Sequence, residues 1–121
     1  PDILGHIDLI KKLNRDGDFF DEEAPRYRAA AMGALEAARD AACLLEVNTG
    51  AVFRGYRSDF YPSDWLLRAW QQMGGKVIIT ADAHSTDGLT FGYEEAARQV
   101  KAAGFGAVQV LTGAGFETQE L

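Results

Sequence analysis

The sequence predicts an α/β fold in which parallel strands are joined by crossover helices. Short apolar runs, of the kind buried on both faces of a parallel sheet, alternate with amphipathic helical stretches. Connections that leave the apolar runs are long, whereas those that enter the next run are a glycine or little more. In parallel α/β folds the long connections at the strand C-terminal ends carry the functional groups.

The expected strands are "DILGHID" (2–8), "LLEVNT" (44–49), "KVIITADAH" (76–84) and "AVQVLT" (107–112). The first helix covers 24–43, where Tyr27, Ala31, Ala34, Leu35, Ala38 and Ala42 share one face. Asp21, Glu22 and Glu23 precede it and suit the positive end of its dipole. A second, over 62–73, aligns Trp65, Leu66, Ala69, Trp70 and Met73 and stops at Gly74-Gly75. The third, over 92–104, aligns Tyr93, Ala96, Ala97, Val100 and Ala103. The tail "GAGFETQEL" lacks clear periodicity and reads as an irregular end. There is no repeat and no linker, so residues 1–121 form one domain.

Composition narrows the functional classes. With 18 acidic against 12 basic residues the net charge is −6, which disfavours a nucleic-acid partner unless the cations cluster. No apolar run approaches the roughly 20 residues that cross a bilayer, and nothing reads as a signal peptide. The lone Cys43 excludes an intrachain disulfide and any cysteine-rich zinc module. It reads as a buried thiol at a helix–strand junction, in keeping with a reducing cytoplasm.

The polar residues at the strand ends are the candidates for chemistry. They come in pairs spaced i, i+2, which on a strand point to the same side: His6 and Asp8, Glu46 and Asn48, Asp82 and His84. Both histidines of the chain fall in this set. From pattern alone a shared metal site and a set of ordinary strand-end turns are about equally supported. Tyr61 and Trp65 suit a core better than a pocket.

"LGHIDLIKKLN", "LLEVNTGAVFRG", "YPSDWLLRAW" and "ITADAHS", in that order, resemble the C-terminal half of a PHP-domain phosphoesterase, more narrowly the histidinol-phosphate phosphatase branch. The similarity spans roughly residues 2 to 110 and is specific as a series. It implies about half of a distorted (β/α)7 barrel with divalent metal ions (Zn, Mn or Fe) at the strand C-terminal ends. His6 would be the metal-binding histidine of the GHxD strand, and Asp82 and His84 the final ligands, with Ala81 where the family usually has serine. The resemblance gives Asp82 a second role as proton acceptor in catalysis. Arg54 would grip the substrate phosphate, assisted by Lys11 or Lys12 with Arg57 in reserve, and Glu46 would touch substrate or orient a ligand.

The family's HxH motif is not among these residues, and the chain starts at Pro1. A fragment of a phosphate-monoester hydrolase, weakly active or inactive, is therefore expected, with a small phosphorylated metabolite as the parent's substrate. Four parallel strands cannot close a barrel, so self-association through the open edges, as a homodimer or larger oligomer, is expected as well. The alternatives are a PHP domain acting on nucleotide or nucleic-acid ends, and a non-catalytic half-barrel that retains the motifs.

Overall fold

The computed structural model describes residues 1–121. Five strands form one sheet in chain order: β1 (Ile3–Leu4), β2 (Leu44–Asn48), β3 (Val77–Thr80), β4 (Ala107–Thr112) and β5 (Gly115–Glu120). The first four run parallel, while β5 is antiparallel to β4. The sheet is curled and mixed, an open half-barrel.

Helix α1 (Pro25–Asp40) connects β1 to β2, α2 (Gly50–Phe53) and α3 (Asp64–Gln72) connect β2 to β3, and α4 (Tyr93–Ala102) connects β3 to β4. Strand order equal to chain order, with crossovers of one hand, puts every helix on the same face. The core confirms this. Leu35 and Ala38 of α1, Leu66, Leu67 and Trp70 of α3, and Ala96 and Val100 of α4 pack on Leu45, Val47, Val77 and Val108 in one cluster. The alternate strand positions, Glu46, Asn48, Ile78, Thr80 and Gln109, therefore face the other side.

Local chemistry accounts for these elements. Pro25 opens α1, where a missing amide proton costs nothing. At the end of α3 the Trp70 indole lies flat over Gly75 and donates to the Lys76 carbonyl at 2.9 Å. A Cβ at residue 75 would sit inside that ring, so the α3–β3 turn requires glycine. Cys43 is a buried free thiol between α1 and β2, as its sequence context predicts.

Three expectations are corrected. The tail is not irregular: residues 115–120 make six pairings with β4. Thr112 secures the hairpin, its hydroxyl accepting from Ala114 N at 3.1 Å and donating to the Gly115 carbonyl at 3.1 Å. Two strands are shorter than the apolar runs suggest, since β1 ends at Leu4 and β3 at Thr80. His6 (φ 50°) and Asp82 (φ 45°) adopt left-handed backbone conformations, which terminate each strand before its polar pair. As a consequence His6 and Asp8 do not share a strand face. Finally, Glu22 does not serve the α1 dipole; it accepts from Arg57 at 3.2 Å and from Asn14 at 3.1 Å.

The loops that follow β1 and β2 are tied together by a buried ion cluster. Lys11 is 0% exposed, and its ammonium donates to Asp59 Oδ2 at 2.7 Å and Ser63 Oγ at 2.8 Å, beside Asp8 Oδ2 at 3.1 Å. Arg57 adds bonds to Asp59 Oδ1 at 2.9 Å and to the Lys11 carbonyl at 3.1 Å. Burial pushes the Asp59 carboxyl up, but hydrogen bonds and charge from Arg57 and Lys11 outweigh that and hold it below its ordinary value of 3.8.

Removing one member of a buried pair leaves an uncompensated charge, at a cost of about 3–5 kcal/mol. Lys11→Met should lower the unfolding free energy by that amount in a urea titration, and an unchanged midpoint would show that the cluster is idle. Asp59, with its depressed folded pKa, contributes stability that is present above the unfolded carboxylate range of about 4 and is lost as pH falls through the lower folded value. Asp59→Asn should accordingly flatten the loss of stability below about pH 4, measured as thermal midpoints across an acid series.

Candidate functional site

The ends of β1, β2 and β3 bring four of the predicted residues together. Asp82 stands at the centre. Its Oδ2 lies 3.4 Å from His6 Nε2 and its Oδ1 lies 3.5 Å from His84 Nε2. Arg54 closes on it with both arms, donating through one terminal nitrogen to the Asp82 carbonyl at 2.8 Å and through the other to Oδ2 at 2.9 Å. Partial burial pushes the Asp82 carboxyl up, but the Arg54 and His6 hydrogen bonds and charges prevail and hold it below 3.8.

The forked contact depends on Gly50. A Cβ there would lie 2.5 Å from the Ala81 carbonyl oxygen and 3.0 Å from both Arg54 terminal nitrogens. No side chain fits between the guanidinium and the start of α2. The glycine of "NTG" thus has a steric task, independent of any positive φ.

Glu46 is buried and turned toward His6. Its Oε2 accepts from the His6 backbone N at 2.9 Å and lies 3.5 Å from His6 Nδ1, while Oε1 accepts from Thr80 Oγ1 at 2.6 Å. Both its oxygens are thus engaged by neighbouring strand ends, one by a backbone amide and one by a hydroxyl. Hydrogen bonding the His6 amide stabilises a backbone conformation that a residue with a Cβ ordinarily avoids.

Asn48, fully buried, supplies the contact that sequence reasoning left unassigned. Its Oδ1 accepts from Gly50 N at 2.9 Å, which turns Nδ2 toward His6 Nε2 at 3.1 Å. The same ring nitrogen lies 3.4 Å from Asp82 Oδ2, so the tautomer sets its partner: protonated, Nε2 donates to the carboxylate, and unprotonated it accepts from the Asn48 amide.

A separation of about 3.4 Å is also the edge of a tetrahedral shell with metal–ligand bonds of about 2.0–2.2 Å. The donor types suit zinc or manganese. The His6–Asp82 and His84–Asp82 contacts, however, use different oxygens of one carboxylate, and no group of three or more His, Cys, Asp or Glu is arranged to hold a metal ion. The residues present fit one edge of a metal shell and not the whole of it.

The remaining candidates lie elsewhere. Lys11 is engaged in the buried cluster, with its ammonium donors spent on protein oxygens, so this arrangement leaves it none for a phosphate. Arg57 belongs to the same cluster. The Lys12 ammonium lies 4.3 Å from the centroid of the Tyr56 ring, a cation–π contact on a half-exposed loop. His84 is the most accessible of the group, its side chain 70% exposed. Asp82 and Arg54 line none of the larger clefts; depressions of about 550 Å³ and about 500 Å³ lie by Asp59, Asp64 and Glu95 and by Cys43, Gly75 and Lys76. The site is a shallow surface at the open end of the sheet.

The sequence matches no protein-family profile and no curated protein. No helix is long and apolar enough to cross a membrane.

Removing the guanidinium should release Asp82. In Arg54→Gln the Asp82 carboxyl should titrate at a higher pH than in the unaltered protein, as read by carbon-detected NMR of its side chain. An unmoved titration would show that Arg54 does not set its charge.

Proposed function

We propose that this chain carries one wall of the active site of a metal-dependent phosphate-monoester hydrolase of the PHP type, of the histidinol-phosphatase kind, acting on a small phosphorylated metabolite. The observation that carries the reading is the convergence of His6, Asp82 and Arg54, from three separate strand ends, with His6 Nε2 at 3.4 Å and an Arg54 nitrogen at 2.9 Å from the same Asp82 oxygen. An imidazole, a carboxylate and a guanidinium gathered at one end of the sheet suit a divalent cation and a phosphate. The resemblance of "GHID", "LLEVNTG" and "TADAH" to the family series supports the same reading, as does the placement of these residues at the C-terminal ends of parallel strands.

A bound divalent ion would supply Lewis acidity and a nucleophilic hydroxide at neutral pH. The chain's own residues have separate tasks. His6 offers Nε2, with Glu46 holding its amide and Nδ1. Asp82, kept ionised, accepts a proton from the attacking water. Arg54 offers a planar fork that a phosphate can take in place of the Asp82 carbonyl. His84, exposed at the rim, is free to turn inward as a further ligand. In this reading the sheet is about half of a (β/α)7 barrel, and other donors complete the shell.

The chain by itself should turn over slowly or not at all, because it offers only an edge of the shell. Adding Mn²⁺ or Zn²⁺ should produce measurable binding by calorimetry that His6→Ala or His84→Ala weakens at least several-fold, with little hydrolysis of an aryl phosphate. Absence of metal binding up to millimolar concentration would overturn the reading.

A second reading, a non-catalytic half-barrel that self-associates, is favoured by one observation: Arg54 already neutralises Asp82 within the chain. It predicts an oligomer in light scattering whose mass does not respond to metal.

A further inference from the structure

Three buried polar atoms around the Lys11 cluster find no partner among the protein's atoms: Asp8 Oδ1, Tyr61 OH and Tyr27 OH. Their surroundings make this costly. Asp8 is 1% exposed, and its other oxygen, Oδ2, takes Ser63 N at 2.8 Å, Ser63 Oγ at 2.6 Å and the Lys11 ammonium at 3.1 Å. All the donors on one side of the carboxylate are thus spent on one oxygen. Oδ1 is left bare in a place where a charged acceptor normally needs its own hydrogen bonds. Tyr61, also 1% exposed, has a phenol proton with nowhere to go.

The donors and the acceptor belong to one neighbourhood. The Lys11 ammonium that touches Asp8 lies 5.3 Å from the centroid of the Tyr61 ring. Tyr27 packs on Phe20 and Trp65 at the other side of the same loops. Burial raises both phenols to about 12, and Asp8 is the leading charge acting on each. Had either hydroxyl stood within 3.5 Å of Oδ1 in proper alignment, the pair would be a direct hydrogen bond. Buried donors and a charged acceptor in one neighbourhood that make no direct bond are what an internal water bridges.

We propose that an internal water site lies in this cluster, in which water accepts from the Tyr61 hydroxyl, donates to Asp8 Oδ1, and is completed by the Tyr27 hydroxyl. The site adjoins the candidate site only through the Tyr61 ring, whose centroid lies 6.4 Å from that of His6; it is independent of the hydrolase reading and serves the packing of the loops after β1 and β2. It makes the water a constituent of the fold, because without it a carboxylate oxygen and two phenols would be buried unpaired.

The sign of a tyrosine-to-phenylalanine change decides the matter. If the phenol is unpaired, removing its oxygen relieves a desolvation cost and Tyr61→Phe raises the thermal midpoint. With a bridging water, Tyr61→Phe strands Asp8 Oδ1 and lowers the midpoint by several degrees. The unaltered protein should also show an oxygen-17 relaxation dispersion from long-lived water, and Tyr61→Phe should reduce its amplitude by about one molecule. Tyr27→Phe gives the same test from the other wall and keeps it decisive should one variant fold poorly. A raised midpoint, or a dispersion that is absent or unchanged by both variants, would overturn the proposal.

Discussion

The buried ammonium of Lys11 is the contact on which the arrangement of this protein depends. It lies in the loop after β1, yet its partners Asp59 and Ser63 are 48 and 52 residues further along, in the segment between α2 and α3. Taking a lysine fully out of water is unfavourable unless each donor is met. The price is met here by Asp8, Asp59 and Ser63 acting together, with Arg57 bracing Asp59. Because the partners are shared, neither loop can shift without stranding a charge in the other. That fixes the positions from which Asp8 begins its turn and α3 begins its first helical turn, and so the spacing between the ends of β1 and β2.

The candidate site inherits its geometry from this frame. His6 precedes the cluster by a few residues, and Arg54 lies just ahead of the Arg57–Asp59 brace, so both are delivered by segments whose far ends are clamped. Asp82 arrives from β3, whose register against β2 pairs Asn48 with Thr80. Glu46 then spans the two neighbours, holding Thr80 on one side and the amide of His6 on the other. Electrostatics supplies the last constraint: Arg54 and Asp82 neutralise each other, and Gly50 leaves room for them to do so.

Much of the fold was legible because helices announce themselves by period. From the three predicted stripes, Leu35 and Ala38, Leu66 and Trp70, and Ala96 and Val100 are the residues that pack on the sheet. Strand ends were less legible, since a left-handed turn at His6 or Asp82 leaves no mark in hydropathy. β5 was missed for another reason: it is exposed on nearly every residue, so there was no buried face to impose a pattern. At the site, the strand-end pattern singled out His6, Asp82 and His84 and the resemblance added Arg54, and the fold sets these four side by side. The sequence could not reveal that Lys11 is spent internally, because that outcome depends on partners separated by tens of residues. Nor could it assign Asn48, whose role rests on which end of an amide Gly50 engages.

The left-handed conformations at His6 and Asp82 have a consequence for where the site's free energy resides. Each is a state that an unfolded chain visits rarely, so the ordering cost of presenting these side chains is met when the sheet assembles, before any ligand arrives. A ligand at this end of the protein would meet groups already aimed. By the same logic the site cannot outlive the fold, and a local loosening of β1 or β3 would disperse it before the core had melted.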